Sequence, residues 1–511
     1  MSKTTHAISS MTILLLISRL FGFAREIIIA AYYGATYQTD AYNMAITIIG
    51  LSTALISAGV ATIIIPMYNN KRLQQTKEIA DTFVSNILWI TSLFYVILSI
   101  IGIIFAPVLV RILAPNFEVR TAVLTVRIIR IMFAFTIATN ISNLMTSILQ
   151  VYNKFAITII ANFPFSIATV AIIVLFYNQA GIYALVIGYI LFVFIQAFII
   201  MLSVRKIFKF KAVLAFANGD LRDVLKLSLP MYISVAVWEI NTIVDKILAS
   251  GLPEGNMSAI MYALRLRSLP DGIITAAVMT VTFPLLSKYA ANKEFAKLKE
   301  SAVRAISLLF MVLLPVTVVS VYYASEITKI VYERGVFTPD KTLLTANIFV
   351  FAVVSLIFSG GTGLLNNVFY SMQDTKTPQI AAVIMVGFNI TFNLILIRYM
   401  QAAGLALATS IASFAYFIVL FIQFRMKYGV FGGLILFKNV LKYIIAAFGM
   451  IPVFFIGEIF RGTVNLLLFF TSSSILALCV YVLLLYLLKA ELFIDACKQV
   501  KIFVKSRQLI K

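Results

Sequence analysis

Apolar stretches of about 20 residues recur from one end of this chain to the other, each long enough to cross a hydrocarbon core of about 30 Å. In lipid a single span must satisfy its own backbone hydrogen bonds, and a helix does so. Of 511 residues, 62% are hydrophobic and 12% charged, against about 25% charged in an ordinary soluble domain. A water-soluble fold of this length is therefore excluded. No region combines the polarity and length of a soluble domain, so the chain reads as an all-α polytopic membrane protein.

Fourteen spans are expected: 11–33, 40–68, 80–105, 122–150, 155–177, 182–204, 227–249, 258–285, 301–325, 343–370, 378–398, 403–424, 439–458 and 464–488. An even number puts both termini on one side. Most of the 41 Lys and Arg fall in the N-terminus, in alternate loops and in the tail, which places both termini in the cytoplasm. The net charge of +21 is thus topological, and no nucleic-acid partner is expected. The first apolar run keeps two arginines and lacks a small-residue cleavage site, so it reads as a span and not as a removable signal.

The densest basic loop, Arg205 to Lys226, reads as a connector between two six-helix lobes. The expected organisation is an N-terminal lobe at 1–204, the connector at 205–226, a C-terminal lobe at 227–424, two extra helices at 425–488 and a basic tail at 489–511. A faint repeat supports the two lobes. Ala58-Gly-Val-Ala-Thr-Ile-Ile-Ile-Pro66 matches Ala276-Ala-Val-Met-Thr-Val-Thr-Phe-Pro284, and Tyr152-Asn-Lys154 matches the Tyr370 to Lys376 loop at nearly the same offset. Transporters commonly bind substrate between such repeats.

The informative residues are ionisable groups inside spans, where a charge costs about 2.5–3.5 kcal/mol on insertion scales. The first span carries Arg19, Arg25 and Glu26. Arg19 and Glu26 share a helix face, so one salt bridge is expected to neutralise Arg19, while Arg25 points roughly 120° away and needs something else. The eighth span holds Arg265 and Arg267, then Pro270-Asp271-Gly272, which predicts a kinked helix opening onto a cavity. Snorkelling to the interface is the competing reading for Arg265 and Arg267, and an interfacial anchor is the reading for Arg127, Arg130 and Arg304. Guanidinium groups fork onto phosphate oxygens bidentately, so deep arginines suit a pyrophosphate and not a cationic drug. The seventh span holds Glu239, Asn241, Asp245 and Lys246, the eleventh Asn389 and Asn393, and the twelfth Thr409. A carboxylate with neutral oxygens would suit a hard monovalent cation; an Asp245–Lys246 interaction with packing amides is the plainer alternative.

Cys479 and Cys497 form no metal spacing and no disulfide framework, and His6 is the only histidine, which excludes zinc sites and histidine catalysis. No phosphate-binding lysine loop is present, and Gly360-Gly-Thr-Gly363 lies inside a span with no lysine after it. It reads as helix packing or a hinge. No enzyme activity is expected, and no connector is long enough for a catalytic domain. Energy for transport would come from an ion gradient, the membrane potential or consumption of the product.

Ser18-Arg19-Leu-Phe-Gly22-Phe-Ala-Arg25-Glu26, with Gly34-Ala and Thr39-Asp40-Ala41 after it, resembles the MurJ (MviN) family of lipid II flippases. The match continues through Ala58-Gly59 to Pro66, Met261 to Pro270, and Gln373-Asp374-Thr-Lys376-Thr-Pro378, and covers nearly the whole chain. The resemblance implies the multidrug/oligosaccharidyl-lipid/polysaccharide exporter fold, with two six-helix lobes around a cavity and a lipid-tail groove formed by the last two helices. It implies that Arg19, Arg25 and Arg265 line the cavity and hold the substrate pyrophosphate, with Ser18, Glu26 and Arg267 beside them. It also implies a sodium ion on Asp245, Asn389, Asn393 and Thr409, although Asn393 stands where relatives carry an acidic residue. Further departures are Thr53 for an arginine, Ser57-Ala58-Gly59 for G-E-G, and Ser166 for an asparagine.

The expected function is alternating-access translocation of lipid II from the cytoplasmic to the outer leaflet of the bacterial inner membrane, for peptidoglycan synthesis. The expected partners are the lipid-linked sugar pyrophosphate and membrane lipid, with a monomer as the working state. The alternatives are a flippase for another undecaprenyl-linked glycan, a cation-coupled drug exporter of the same fold, and a non-transporting membrane scaffold.

Overall fold

The computed structural model describes residues 3–498 except 217–218, 430–431 and 463–464; the side chains of 3–12, 55–62, 230–231 and 233–234 also lie outside the described set. The side chains of His6 and of the motif from Ala58 to Thr62, and the whole tail beyond Lys498, therefore fall outside the described residues.

The described elements are helices joined by short turns. They are α1 (Lys3–Tyr33), α2 (Tyr37–Gln74), α3 (Lys77–Ile104), α4 (Ala106–Leu113), α5 (Val119–Phe133), α6 (Thr136–Val151), α7 (Phe155–Ile160), α8 (Phe163–Ala180), α9 (Tyr183–Val204) and α10 (Gly219–Ser250). Next come α11 (Asn256–Pro270), a π-helical turn (Asp271–Thr275), α12 (Ala276–Ala291), α13 (Phe295–Tyr322), α14 (Ala324–Tyr332) and α15 (Pro339–Ser371). The chain continues with α16 (Lys376–Tyr428), α17 (Gly433–Phe448), α18 (Ile451–Glu458) and α19 (Leu466–Leu487).

Nine of the described helical segments are long and apolar enough to cross a membrane, or ten if α5 and α6, bent by 50°, make one span. The count differs from fourteen for two reasons. Helices α1, α2 and α10 contain undescribed side chains. Helix α16 runs over 53 residues, about 80 Å at 1.5 Å per residue and far beyond one bilayer crossing. Its helical path breaks at Gln401 (φ 49°, ψ −126°), between the two spans expected at 378–398 and 403–424. Gly404 packs there against the Leu396 carbonyl, where a Cβ would come within 2.5 Å of the oxygen.

The chain forms two compact units, Met1–Ser258 with Arg334–Lys341, and Ala259–Glu333 with Thr342–Lys511. In the first unit, apolar side chains of α2, α3, α6 and α9 make one core around Ile64, Val84, Ile148 and Ile200. The connector segment lies along α3 without a strand partner, so side chains of α3 satisfy its backbone. Lys209 N donates to Asp81 (3.1 Å), Lys211 N to Ser85 (3.1 Å) and Ala215 N to Asn86 (2.7 Å).

The Asp40 of the Thr39-Asp40-Ala41 motif ties the same unit together at the start of α2. Its carboxylate accepts from Gly255 N (2.6 Å) and Ser258 N (2.7 Å), completing the donors that open α11. Gly255 sits at φ +85°, and a Cβ there would strike the Ala35 carbonyl at 2.2 Å, so glycine is required. Lys341 donates to the Glu254 carbonyl (3.1 Å) and Val336 N to Ala31 O (2.8 Å). These bonds explain why 334–341 belongs to the first unit.

In the second unit the Gly360 to Gly363 run is a packing surface. A Cβ on Gly361 would lie 2.6 Å from the Phe417 ring and one on Gly363 3.1 Å from Met279. The outward faces of both units carry large apolar side chains, among them Leu175, Phe198, Leu394 and Phe455, as lipid contact demands.

Candidate functional site

Arg25 sits on the inner face of α1 and is only 8% exposed. Its Nη2 donates to Glu26 Oε1 at 2.7 Å, and its guanidinium lies 3.8 Å from the centroid of the Phe165 ring on α8. Phe165 is itself fixed from α9 by stacking on Phe192 at 4.3 Å. The side chain is thus gripped by one carboxylate and one aromatic face. Its Nε–H remains buried with no acceptor among the described residues.

The salt bridge expected between Arg19 and Glu26 is not the one formed. Glu26 turns to its neighbour Arg25, and Arg19 is exposed, with no hydrogen bond or ion pair to a described residue. Helical spacing compares Cβ directions, whereas Phe165 fixes where the Arg25 guanidinium lies and so draws Glu26 toward it. Ser18 lies half-buried one residue before Arg19.

In the second unit Arg267 plays a matching part. Its Nη2 donates to Ser359 Oγ at 2.9 Å, while its Nε–H is buried without an acceptor. Arg265, two residues earlier and on another face of α11, is exposed. The expected kink at Pro270 takes the form of the π-helical turn Asp271–Thr275. Such turns insert an extra residue into a helix and recur at functional sites.

Each unit therefore holds a guanidinium that has lost most of its water and retains an unfilled donor. An unmade hydrogen bond of that kind costs about 1–3 kcal/mol, more for a charged group. Phosphate oxygens are the acceptors that match a planar fork of donors.

Three of the four residues expected to bind a cation meet in the second unit. Asn393 Nδ2 donates to Asn389 Oδ1 at 2.7 Å, and Asn389 Nδ2 to Thr409 Oγ1 at 3.4 Å. Asp245 belongs to the first unit, on α10, and accepts from Asn241 Nδ2 at 3.3 Å. The neutral oxygens are gathered, and the Asn393 Oδ1 among them is buried without a hydrogen bond to a described residue, while the carboxylate belongs to the other unit. The fit to a monovalent cation is partial.

Sequence reasoning did not identify Phe165 or Ser359, the partners of the buried Arg25 and the half-buried Arg267. Among 42 phenylalanines a cation–π partner carries no spacing signal. Phe165 does stand next to Ser166, one of the positions noted above.

The fold and these buried arginines define an all-helical, multi-pass membrane transporter built from two units. A solved lipid II flippase MurJ in an inward closed conformation superposes with a TM-score of 0.80 at 24% identity, covering 95% of this chain and 99% of that one. A multidrug resistance MATE family transporter of the MOP superfamily, in an inward-facing conformation, gives 0.64 at 16% identity, covering 81% and 98%. A probable lipid II flippase MurJ of Buchnera aphidicola subsp. Acyrthosiphon pisum is 29% identical over 424 residues, 80% of this chain and 82% of that one. The lipid II flippase MurJ family model matches residues 29–480. The chain belongs to the lipid II flippase MurJ family.

Proposed function

We propose that this protein translocates lipid II, the polyprenyl-pyrophosphate-linked precursor of peptidoglycan, from the cytoplasmic to the outer leaflet. The observation that carries the proposal is an arginine in each unit with a buried, unfilled Nε–H, Arg25 and Arg267. Each unit offers its own anion-seeking guanidinium, bonded to Glu26 in the first and to Ser359 in the second. Phosphate oxygens are acceptors of the kind each guanidinium lacks, and the exposed Arg19 offers further charge. Glu26 keeps Arg25 oriented, and Ser359 does the same for Arg267. A drug-exporter reading draws on shared fold alone, and these arginines oppose a cationic cargo.

The test is reconstitution of the purified protein in vesicles carrying lipid II or another undecaprenyl-pyrophosphate glycan. Headgroup exposure to an impermeant enzyme is then followed. Lipid II translocation with no transfer of the exopolysaccharide-type glycan is expected; the reverse preference would reassign the cargo.

The proposed orientation has both termini in the cytoplasm. Cysteines placed near Asn178 and Pro253 are expected to label from outside intact cells, and those near Gln74 and Asn292 are not. The opposite pattern overturns the direction of transport. Sodium coupling is a second reading, favoured by the meeting of Asn389, Asn393 and Thr409. If it holds, sodium raises the melting temperature in a concentration-dependent way and Asp245→Ala removes the rise. Identical melting in sodium and in a bulky organic cation removes the ion from the mechanism.

A further inference from the structure

A cavity of about 480 Å³ in the second unit is separate from the arginines above. It lies among α13, the start of α17 and the helical segment 491–498, and its lining carries charges of both signs. Helix α13 contributes Lys299 and Arg304, and the terminal segment contributes Glu491 and Asp495. Arg304 is already paired with Glu300 at 3.3 Å, and Asp495 has Lys498 at 4.0 Å. Lys299 and Glu491 have no ion-pair partner among the described residues, although both line the same cavity. They stand too far apart to neutralise each other.

The polar floor is also unsatisfied. Ser307, 1% exposed, lines the cavity with an Oγ that has no partner among the described residues. Asn439, 6% exposed, lines it too and makes no hydrogen bond with a described residue. One turn deeper on the same face, the fully buried Tyr443 hydroxyl is likewise without a partner. Buried polar groups are bonded as a rule, so several exceptions beneath one cavity mark a place where a polar ligand sits.

We propose that this cavity binds a phosphoethanolamine-type lipid headgroup, phosphate toward Lys299 and ammonium toward Glu491. A simple anion would face Glu300, Glu491 and Asp495, and a simple cation would face Lys299 and Arg304. A zwitterion with one phosphate and one primary ammonium bridges the two unpaired charges, and Asn439 and Ser307 donate to its oxygens. The level also fits. Lys299 precedes the apolar run 301–325, Asn439 opens 439–458 and Glu491 follows 464–488, so all three lie where headgroups lie. Exposed Leu434 and Ile435 beside the cavity offer a path for acyl chains.

The test uses the full chain in detergent, titrated with phosphatidylethanolamine, phosphatidylglycerol, phosphatidylcholine or soluble glycerophosphoethanolamine. Thermal melting and lipid retained in native mass spectra are both read. Phosphatidylethanolamine is expected to raise the melting temperature and remain bound, whereas phosphatidylglycerol lacks the amine and phosphatidylcholine lacks its N–H donors. Lys299→Gln and Glu491→Gln each weaken the effect about fivefold, while the exposed Lys438→Gln, outside the cavity, leaves it intact. Equal shifts from all three lipids, or unchanged affinity in both variants, overturn the proposal. An equal response to the soluble compound overturns the membrane source. Transport is not read, so the outcome stands apart from that of the flippase proposal.

Discussion

After the fourth expected span, the first unit closes its loop with Tyr152, whose hydroxyl meets Tyr68 at 3.2 Å; Tyr68 donates to the buried Asp81 at 2.8 Å. After the tenth span, the second unit closes the corresponding loop with Asp374, which accepts from Thr377 Oγ1 at 2.7 Å and Lys427 Nζ at 2.8 Å. The first arrangement joins two tyrosine hydroxyls to a buried carboxylate, with Lys77 Nζ 4.0 Å from Asp81 and the Arg72 guanidinium over the Tyr152 ring. The second is an ion pair open to solvent, with Lys427 half exposed. Repeated sequence has thus kept the position of a fastening while changing its chemistry, and the two should respond differently to mutation and pH. The arginines diverge in the same way, since Arg25 is held by a bonded carboxylate and a ring, and Arg267 by the Ser359 hydroxyl with the Asp271 carboxylate acting through space.

The largest effect expected from this comparison is on transport. Arg25→Ala and Arg267→Ala should each reduce headgroup translocation about 100-fold, the value of a charge-assisted phosphate contact near 3 kcal/mol. Arg25→Lys should rescue poorly, because an ammonium neither forks onto phosphate nor lies flat on Phe165. Phe165→Leu should cost less than Arg25→Ala. Normal translocation by Arg25→Ala in correctly inserted protein removes the pyrophosphate role.

The next effect is on stability. Asp81→Ala leaves Lys209 N without its acceptor and takes from the Tyr68 hydroxyl the nearer of its two partners, in a site 1% exposed. A loss of about 3 kcal/mol is expected by thermal or denaturant unfolding. Lys427→Ala breaks an exposed pair and should cost under about 1 kcal/mol. Similar losses for the two would mean that burial does not separate the fastenings.

The same pair separates under acid. Burial alone would raise the Asp374 carboxyl, but hydrogen bonds from Lys427 and Thr377 outweigh it and hold it at about 2. A depressed carboxyl stabilises the fold above its unfolded value, about 3.9, and that contribution fades as pH falls toward about 2. Between those limits the wild type should lose stability that Asp374→Asn never had. Parallel melting curves for the two proteins across that range would dismiss the linkage.

Much of this was legible in the sequence, because apolar runs and stranded charges are the strongest signals a membrane chain carries. Arg19, Arg25, Arg265 and Arg267 stood out alike as charges that lipid cannot accommodate, and the sequence did not separate Arg25 and Arg267 from the exposed Arg19 and Arg265. The partner of Glu26 did not follow, since it depends on where Phe165, distant in sequence, places a ring. The two spans of α16 were separable by their apolar pattern, yet the backbone geometry between them was not. The meeting of Asn389, Asn393 and Thr409 was anticipated as a ligand set, but spacing could not foresee that Asn389 Oδ1 and Thr409 Oγ1 would each accept from a neighbouring amide. The cavity beside Asn439 left no trace in the sequence at all, because its lining comes from three separated segments.

The smallest effect concerns the turn between the last two helices of each repeat. Gly181 (φ 52°, ψ −132°) ends α8, and Gln401 (φ 49°, ψ −126°) breaks α16, with nearly the same backbone geometry. That region belongs to glycine, and a side chain held there costs on the order of 1–3 kcal/mol. The Gln401 side chain is exposed and makes no hydrogen bond with a described residue, so it does not offset the strain. Gln401→Gly should relieve it, while the freer unfolded chain takes back about 0.5–1 kcal/mol. The net gain is about 1 kcal/mol, seen as a small rise in melting temperature. Asparagine discriminates the cause. It is favoured in the left-handed helical region, where ψ is near +45°, but not at a ψ of −126°. Gln401→Asn should therefore leave stability unchanged where Gln401→Gly raises it, and Gly181→Ala should lower it. A rise for asparagine equal to that for glycine would mean that the turn relaxes into the left-handed helical region, and the likeness between the two turns would not survive.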